Sequence, residues 1–146
     1  MPIEYQTGDL FTTSAQALAH GCNCKGVMGA GIALAFRHRY TGMFNGYRSM
    51  CLNGNFQPGD YFAYSAPDGK IILNLATQVY PGACAKVEWI ESALTKVLED
   101  LPNLKTIALP QIGAGLGGLD WEDVKDMLER LANKTETLFI VYKYSM

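Results

Sequence analysis

The feature that most constrains the fold is a glycine-rich segment between an apolar run and a helix-forming run. The segment extends from His20 to Ile32 and includes glycines at positions 26, 29 and 31. Glycine lets the main chain adopt positive φ and approach a ligand closely. Free N–H groups at the start of the following helix, together with the helix dipole, favour an anion. The segment therefore predicts a phosphate-binding loop.

Two common phosphate-binding motifs do not fit this loop. A Walker A loop ends in Gly-Lys-Ser/Thr, whereas residues 29–32 read Gly-Ala-Gly-Ile. A Rossmann fingerprint needs Gly-x-Gly-x-x-Gly with an acidic residue about twenty positions later. Here the spacing is Gly-x-x-Gly-x-Gly, and no acidic residue follows until Asp60. A phosphate site in this chain therefore belongs to a different fold.

A second glycine-rich segment follows the apolar run at residues 106–109 and precedes another helical pattern. It covers residues 110–118, and Asp120 is the predicted N-cap of the helix that begins at Trp121. Glycines at one such turn alone would indicate only a tight connection. Two clusters in equivalent positions favour a ligand site, because ligands of α/β sheets bind at the carboxyl ends of strands. Two facing loops could clamp a diphosphate from both sides.

The rest of the chain alternates strand and helix patterns, which predicts an α/β sheet covered on both faces. Two β-rich runs flank the turn at residues 67–69, so a hairpin is expected and the sheet is mixed. The 146 residues are 49% hydrophobic and no linker or repeat divides them. We therefore expect a single domain over residues 1–146.

Composition excludes several classes of protein. The formal net charge of −2 argues against generic polyanion binding. No apolar run reaches the length of a membrane span and the start lacks a signal-peptide pattern, so a cytoplasmic protein is expected.

The basic cluster at residues 37–39 is interpreted as a solvated helix face, with contact to nucleic acid or a charged substrate as the alternative. Buried thiols are favoured over metal or disulfide for the four cysteines, Cys22, Cys24, Cys51 and Cys84.

Four stretches together resemble one known family. They are Gly-Asp-Leu at 8–10, the segment from His20 to Ile32, the segment at 110–118, and Leu-Asp-Trp at 119–121. In this order they resemble the macro domain, which binds ADP-ribose, and the resemblance covers nearly the whole chain. It implies a three-layer α/β/α sandwich with a mixed, mostly parallel sheet of about six strands, and a ligand across the crest of that sheet.

The resemblance also implies roles for individual residues. Asp9 would accept from the adenine amino group, although an Asx-turn role is equally expected, and Leu10 would offer its main-chain N–H. Asn23 would bind the distal ribose. Tyr142 would pack on adenine, with a core position as the alternative. The two faces of the diphosphate would be held by Gly29, Ala30, Gly31 and Ile32 and by Gly113, Ala114, Gly115, Leu116 and Gly117.

Within the family, residues 20–26 are most similar to small ADP-ribose 1''-phosphate phosphatases. Residues 28–33 are also similar to branches that remove ADP-ribose from glutamate or from DNA. Those branches use a lysine where this chain has Gln78, and the glutamate-deacylating relatives carry an aspartate where it has Gly117. A lysine nucleophile at this position is therefore not expected. Lys25 could supply an amine, but a surface loop lysine is the simpler interpretation.

Hydrolysis by a bound water remains possible, positioned by Asn23 and a phosphate oxygen. His20 could act as a general acid or base if its ring faces the ribose, while a hydrogen-bonded core histidine is the alternative. Asp120 could orient a water, although its N-cap role is better supported. No ligand-spaced metal cluster is visible, and no cofactor is expected.

These inferences leave three hypotheses. The first is a hydrolase that converts ADP-ribose 1''-phosphate to ADP-ribose and phosphate. The others are an ADP-ribosyl hydrolase acting on protein or DNA, and a reader that binds ADP-ribose without turnover. The expected partners are ADP-ribose or an ADP-ribosylated substrate, with nucleic acid only as a modified substrate and no membrane. The chain is expected to be a monomer.

Overall fold

The computed structural model describes residues 3–144, which form a six-stranded sheet with helices on both faces. No helix among these residues is long and apolar enough to cross a membrane. In chain order the elements are β1 Ile3–Thr7, a short 3-10 helix Leu10–Thr12, β2 Ala17–Cys22, α1 Gly31–Arg39, α2 Thr41–Leu52, β3 Tyr61–Ser65, β4 Ile71–Ala76, α3 Val87–Asp100, β5 Thr106–Pro110, α4 Trp121–Ala132 and β6 Leu138–Lys143.

The strand order across the sheet is β1-β6-β5-β2-β4-β3. Four neighbouring pairs run parallel, and β3 runs antiparallel to β4. The predicted hairpin is confirmed, with Ser65 opposite Ile71. In its turn, a carboxylate oxygen of Asp68 accepts from the Lys70 N–H at 3.0 Å. The sheet is therefore mixed and mostly parallel, as expected.

Two apolar cores lie on opposite faces of the sheet. Successive strand side chains point to opposite faces, so Ala17 and Ala19 pack on the side of α3 and α4. Leu18 and Cys22 pack on the side of α1 and α2. The amphipathic pattern of α3 places Ile90, Leu94 and Val97 in the first of these cores. The predicted three-layer sandwich is confirmed.

The five parallel strands bring their carboxyl ends to one edge of the sheet, at residues 7, 22, 76, 110 and 143. Two glycine-rich connections leave from this edge. Residues 23–30, here the first loop, join β2 to α1, and residues 111–119, the second loop, precede α4. The fold thus places both predicted phosphate-binding segments at the edge where α/β sheets bind ligands.

Candidate functional site

Two adjoining cavities occupy this edge. The first has a volume of about 420 Å³ and lies between the two loops and the ends of β2 and β4. The second, of about 770 Å³, lies at the ends of β1 and β6. Their shared lining residues are Gly31, Ile32, Pro110, Gln111 and Gly115. The two cavities therefore form a single cleft that passes between the loops and over the end of β5.

The first loop is held by the side chain of Asn23. Its Nδ2 donates to the carbonyl of Val27 at 2.7 Å, and its Oδ1 accepts from the N–H of Lys25 at 2.9 Å. The hydroxyl of Tyr47, a fully buried residue of α2, donates to Asn23, whose main-chain carbonyl oxygen lies at 2.8 Å and whose Oδ1 lies at 2.9 Å. Burial raises the pKa of the Tyr47 phenol, so this donor stays protonated. Asn23 thus lines the first cavity while its polar atoms fix the loop.

The start of α1 is open to an anion. The N-cap residue Ala30 makes no side-chain hydrogen bond, and the first turn contains no acidic residue. The first N–H groups of a helix have no intrahelical acceptor, and here Gly31 and Ile32 of the first turn line both cavities. Gly31 has φ +58°, a conformation that favours glycine. A Cβ atom on Gly31 would lie 3.0 Å from Cδ1 of Leu116, so the two loops meet at this point.

The second loop is held by its main chain. The carbonyl of Gly113 accepts from the N–H of Leu119 at 2.9 Å, and the carbonyl of Gly117 accepts from Ala85 at 3.2 Å. A Cβ atom on Gly117 would lie 2.7 Å from the Gly113 carbonyl oxygen. The loop path therefore leaves no room for a side chain at 117. The aspartate that the family resemblance implies for some branches at this position would not fit this conformation.

The second cavity brings together Asp9, Leu10 and Tyr142, the residues expected at the adenine. Asp9 caps the short 3-10 helix, with Oδ1 accepting from the Phe11 N–H at 2.9 Å. The Asx-turn interpretation is thus confirmed. Its Oδ2 accepts no hydrogen bond from residues 3–144, so that oxygen remains available to a ligand. Tyr142 belongs to the core next to α1 and α2 and also lines the cavity.

Every residue expected to bind the ligand lines at least one of the two cavities. Several other lining residues were given no ligand role from the sequence, namely Phe11, Thr77 and Tyr144, together with Pro110 and Gln111 at the start of the predicted second segment. Most of them stand directly after an apolar run, a position that signals the carboxyl end of a strand. That signal could have identified Thr77 and Gln111 in particular.

His20 lies outside the cleft. Its ring is fully buried, stacks on Phe36 of α1 with a centroid separation of 3.9 Å, and donates from Nε2 to Asn74 Oδ1 at 2.7 Å. Asn74 is oriented by its own Nδ2, which donates to the Phe62 carbonyl. Burial lowers the pKa of His20 to about 4, so the ring is neutral near pH 7. The expectation that this ring faces the ribose is therefore wrong, because the strand turns it into the core.

Asp120 is the N-cap of α4, where its carboxylate accepts from the N–H of Glu122 at 3.0 Å. Its side chain is exposed and lines neither of the two cavities. The N-cap prediction is confirmed. The suggestion that Asp120 orients a water does not agree with this position, because the second loop carries the residue away from the cleft.

The basic cluster forms an exposed patch on the last turn of α1. The guanidinium of Arg37 lies 4.2 Å from the ring centroid of Phe44, and that of Arg39 lies 4.6 Å from the ring centroid of Phe11. Neither arginine lines the two adjoining cavities. These contacts agree with a solvated face whose cations stack on aromatic rings.

The four cysteines are free thiols. Cys22 is buried and the other three are half-buried, so the expectation of buried thiols holds fully for Cys22 only. Burial raises the pKa of Cys22 and raises that of Cys24 to about 11, so neither is a ready thiolate. Within residues 3–144, no group of three His, Cys, Asp or Glu residues is placed to hold a metal ion.

Gln78, at the position where the family resemblance implies a lysine in other branches, lines the first cavity. Its Nε2 donates to two main-chain carbonyls, that of Tyr80 at 2.6 Å and that of Gly82 at 2.7 Å. Lys25 is exposed, does not line either cavity, and places its Nζ 4.7 Å from the ring centroid of Tyr80. Neither residue places an amine in the first cavity in this structure.

Fold and cleft together define an α/β domain with a ligand site along the crest of a mixed sheet. The Macro domain profile matches residues 19–128, and the chain belongs to this family. The macrodomain of Mycobacterium tuberculosis DarG has the same fold, with a TM-score of 0.89 and 36% identity over 99% of this chain and 98% of that one.

Two curated relatives differ in how they align. A DNA ADP-ribosyl glycohydrolase of Mycobacterium tuberculosis is 40% identical over 132 residues, which is 86% of this chain but only 37% of that protein. An ADP-ribose 1''-phosphate phosphatase of Candida albicans is 27% identical over 155 residues, covering 95% of this chain and 99% of that protein. Because the chain spans little more than a third of the first relative, a single domain over residues 1–146 stays a prediction.

Proposed function

We propose that this chain binds ADP-ribose along the two adjoining cavities and hydrolyses ADP-ribose 1''-phosphate to ADP-ribose and phosphate. The observation that carries the proposal is the position of the α1 N-terminus, which both cavities share through Gly31 and Ile32. A diphosphate at this point would leave adenosine in the second cavity and the distal ribose in the first. The residues expected from sequence at each end lie in the corresponding cavity.

The electrostatics of the cleft favour this orientation. No Lys or Arg lines either cavity, and Asp9, at the adenosine end, is the only acidic lining residue within 3–144. The diphosphate would therefore be held by main-chain N–H groups and the α1 dipole. The second loop, from Gly113 to Gly117, faces the same point. Asp9 Oδ2 would accept from the adenine amino group, as the family resemblance implies.

Hydrolysis would proceed by water attack on the 1''-phosphorus. The new P–O bond forms from water while the bond to the 1''-oxygen breaks, one water proton ends on that oxygen, and the other stays on the released phosphate. Positioning and preorganised dipoles can supply much of such a rate enhancement. The nearly full-length match to the Candida albicans phosphatase supports this reaction.

Removal of ADP-ribose from DNA is the second candidate. It is favoured by the higher identity to the Mycobacterium tuberculosis DNA ADP-ribosyl glycohydrolase, 40% against 27% for the phosphatase. Gln78 weakens this candidate, because an amide cannot act as the amine that the resemblance assigns to that branch. An ADP-ribose reader without turnover is the remaining alternative.

The test combines binding and turnover. Calorimetric titration with ADP-ribose should show one site, and AMP should bind more weakly because it lacks the second phosphate and the distal ribose. Products would then be measured with ADP-ribose 1''-phosphate, ADP-ribosylated DNA and an ADP-ribosylated glutamate peptide. We expect phosphate release from the first substrate. Turnover of DNA alone would favour the second candidate, binding without turnover would make the chain a reader, and no binding would refute the proposal.

Monomeric state and cytoplasmic location remain predictions. Gel filtration at several protein concentrations would test the first, since a monomer elutes at a constant position. Fractionation of cells that produce the protein would test the second.

A further inference from the structure

The first cavity is lined by Gln78, a polar residue to which the proposed reaction assigns no role. This residue is the second after β4 and lies at the end of the cleft proposed for the distal ribose. The inference rests on the proposed function, because it concerns the reaction at that ribose.

Hydrogen bonding fixes the orientation of the Gln78 amide. Its two amide hydrogens are directed to the carbonyl oxygens of Tyr80 and Gly82. An amide nitrogen carries two donors and the amide oxygen is an acceptor only. The reversed amide would set Oε1 against two carbonyl oxygens, so the observed orientation is strongly preferred. Oε1 accepts no hydrogen bond from residues 3–144 and is left as a free acceptor.

The other side-chain acceptors at this end of the cleft are engaged in hydrogen bonds, buried, or distant from the distal ribose. Asn23 Oδ1 accepts from Lys25 and Tyr47. Thr77 is buried, and its hydroxyl is directed to the Cys22 carbonyl at 3.4 Å. Gln111 lies where the two cavities join, away from the distal end. Gln78 Oε1 is therefore the side-chain acceptor available to a water beside the distal ribose.

We propose that Gln78 Oε1 accepts a hydrogen bond from the water that attacks the 1''-phosphate and so directs the water lone pair at phosphorus. Gln78 neither gains nor loses a proton. The proton that leaves the water passes to the departing 1''-oxygen, and the proton held by Oε1 stays on the released phosphate. Gln78 is thus a positioning residue for the nucleophile.

An amide suits this position better than the alternatives. An ammonium group has donors and no acceptor. It could donate to the carbonyl oxygens of Tyr80 and Gly82, but it could not accept a hydrogen bond from water. A carboxylate could accept from the water, but its charge would repel a phosphate dianion at close range. Glutamine combines a neutral acceptor with two donors, which bind the main-chain carbonyl oxygens of Tyr80 and Gly82.

Three substitutions separate the acceptor from the donors. Gln78→Lys keeps donors for the two carbonyls and removes the acceptor. Gln78→Glu keeps an acceptor and removes the donors, and Gln78→Met removes both. Arg130→Ala, which breaks a surface ion pair with Glu91 outside the cleft, serves as the matched control. For each protein, kcat and KM would be measured with ADP-ribose 1''-phosphate, and affinity would be measured with ADP-ribose.

Loss of a positioned acceptor should lower kcat of Gln78→Lys and Gln78→Met about 100-fold, an effect typical of one positioned catalytic group. The KM of Gln78→Lys should stay within about threefold, because its donors and added positive charge retain substrate. The kcat of Gln78→Glu should be at least about tenfold higher than that of Gln78→Lys. The KM of Gln78→Glu should rise, because the carboxylate repels the phosphate of the substrate. ADP-ribose affinity should stay within about threefold in Gln78→Lys, for the reason given for its KM, and should be unchanged in the control.

The outcomes are distinguishable. If Gln78→Lys retains the kcat of the wild-type chain while Gln78→Glu loses it, the donors matter and the acceptor role is overturned. Equal losses in both variants, with falling ADP-ribose affinity, would indicate a purely structural role and also overturn it. A wild-type chain that binds ADP-ribose but releases no phosphate refutes the proposed function, and the role of Gln78 with it.

Discussion

The first loop and the second loop both leave a buried strand and line the same cleft, yet they keep their shapes by opposite means. The first is held by side-chain hydrogen bonds centred on Asn23. The second has no side-chain hydrogen bond among residues 111–119 and is shaped by main-chain bonds and by Gly113, Gly117 and Gly118, where a Cβ atom would lie within 3.0 Å of a neighbour. The first should therefore be sensitive to lost polar atoms, and the second to added carbon atoms.

The largest effect is expected where the loops meet. Gly31→Glu would force a residue with a side chain to φ +58°, place its Cβ 3.0 Å from Leu116, and set a carboxylate at the anion site. Like charge and strain together should weaken ADP-ribose binding by at least about 1000-fold, which corresponds to about 4 kcal/mol. Calorimetric titration measures this directly.

Gly54→Glu is the matched control for that substitution. Gly54 has φ +73°, and a Cβ atom there would meet nothing within 4 Å. The control thus introduces the same charge and a similar backbone strain, in the turn after α2. Micromolar ADP-ribose affinity in Gly31→Glu would refute the clamp, and equal loss in both variants would show that charge or folding, rather than position, is responsible.

A single added methyl group should destabilise the second loop. Gly117→Ala places a Cβ 2.7 Å from the Gly113 carbonyl oxygen and 3.0 Å from Cβ of Ala85. Overpacking of this kind should lower the free energy of unfolding by about 3 kcal/mol, at the upper end of its usual range. Chemical denaturation measures the change. Gly115→Ala, where a Cβ would meet nothing within 4 Å, should leave stability nearly unchanged; equal losses would contradict this account of the second loop.

A buried histidine lies next to the first loop, and no histidine lies next to the second. His20 belongs to the strand before the first loop and stacks on the helix after it. Its folded-state pKa of about 4 lies below its usual value of 6.5, so the unfolded chain binds more protons between these values. The contribution of neutral His20 to the free energy of unfolding is fully present above pH 6.5 and is lost as the pH falls toward 4. About 2 kcal/mol of this contribution is lost by pH 5.

Urea unfolding at pH 7.5 and pH 5 checks this prediction in the wild-type chain and in His20→Gln. The variant cannot titrate at this position, so its stability should fall less over the same interval. The difference between the two proteins isolates His20 from the carboxylates that also titrate. Identical pH dependence in both would contradict the burial of a neutral ring.

The smallest effect concerns a single donor to the first loop. Tyr47→Phe removes the hydroxyl that donates to Asn23 while keeping the ring in the core. Asn23 retains its bonds to Val27 and Lys25, so the cost should be about 1 kcal/mol of stability, with a few-fold loss of ADP-ribose affinity. Thermal unfolding and calorimetry measure the two quantities. An unchanged affinity would show that the first loop keeps its shape without this bond.

Much of this arrangement could be predicted from local sequence. Glycine spacing after an apolar run indicated both loops, and alternating patterns indicated a mixed α/β sheet, because each signal depends on neighbouring residues. The position of His20 could not be predicted, since its partner Asn74 lies 54 residues away on an adjacent strand. The engaged side chain of Asn23 and the lack of space at Gly117 likewise depend on contacts that only the folded chain creates.

The parallel pairing of β1 and β6 determines how the protein should be handled. Ile3 pairs with Phe139 and Thr7 with Lys143, so the amino end of the chain enters the sheet at the edge opposite the cleft. Tyr144, by contrast, lines the second cavity. A segment attached ahead of Ile3, such as an affinity tag or surface anchor, would therefore join the domain away from the cleft. A segment attached after Tyr144 would join it at the adenosine end and compete with the ligand for space.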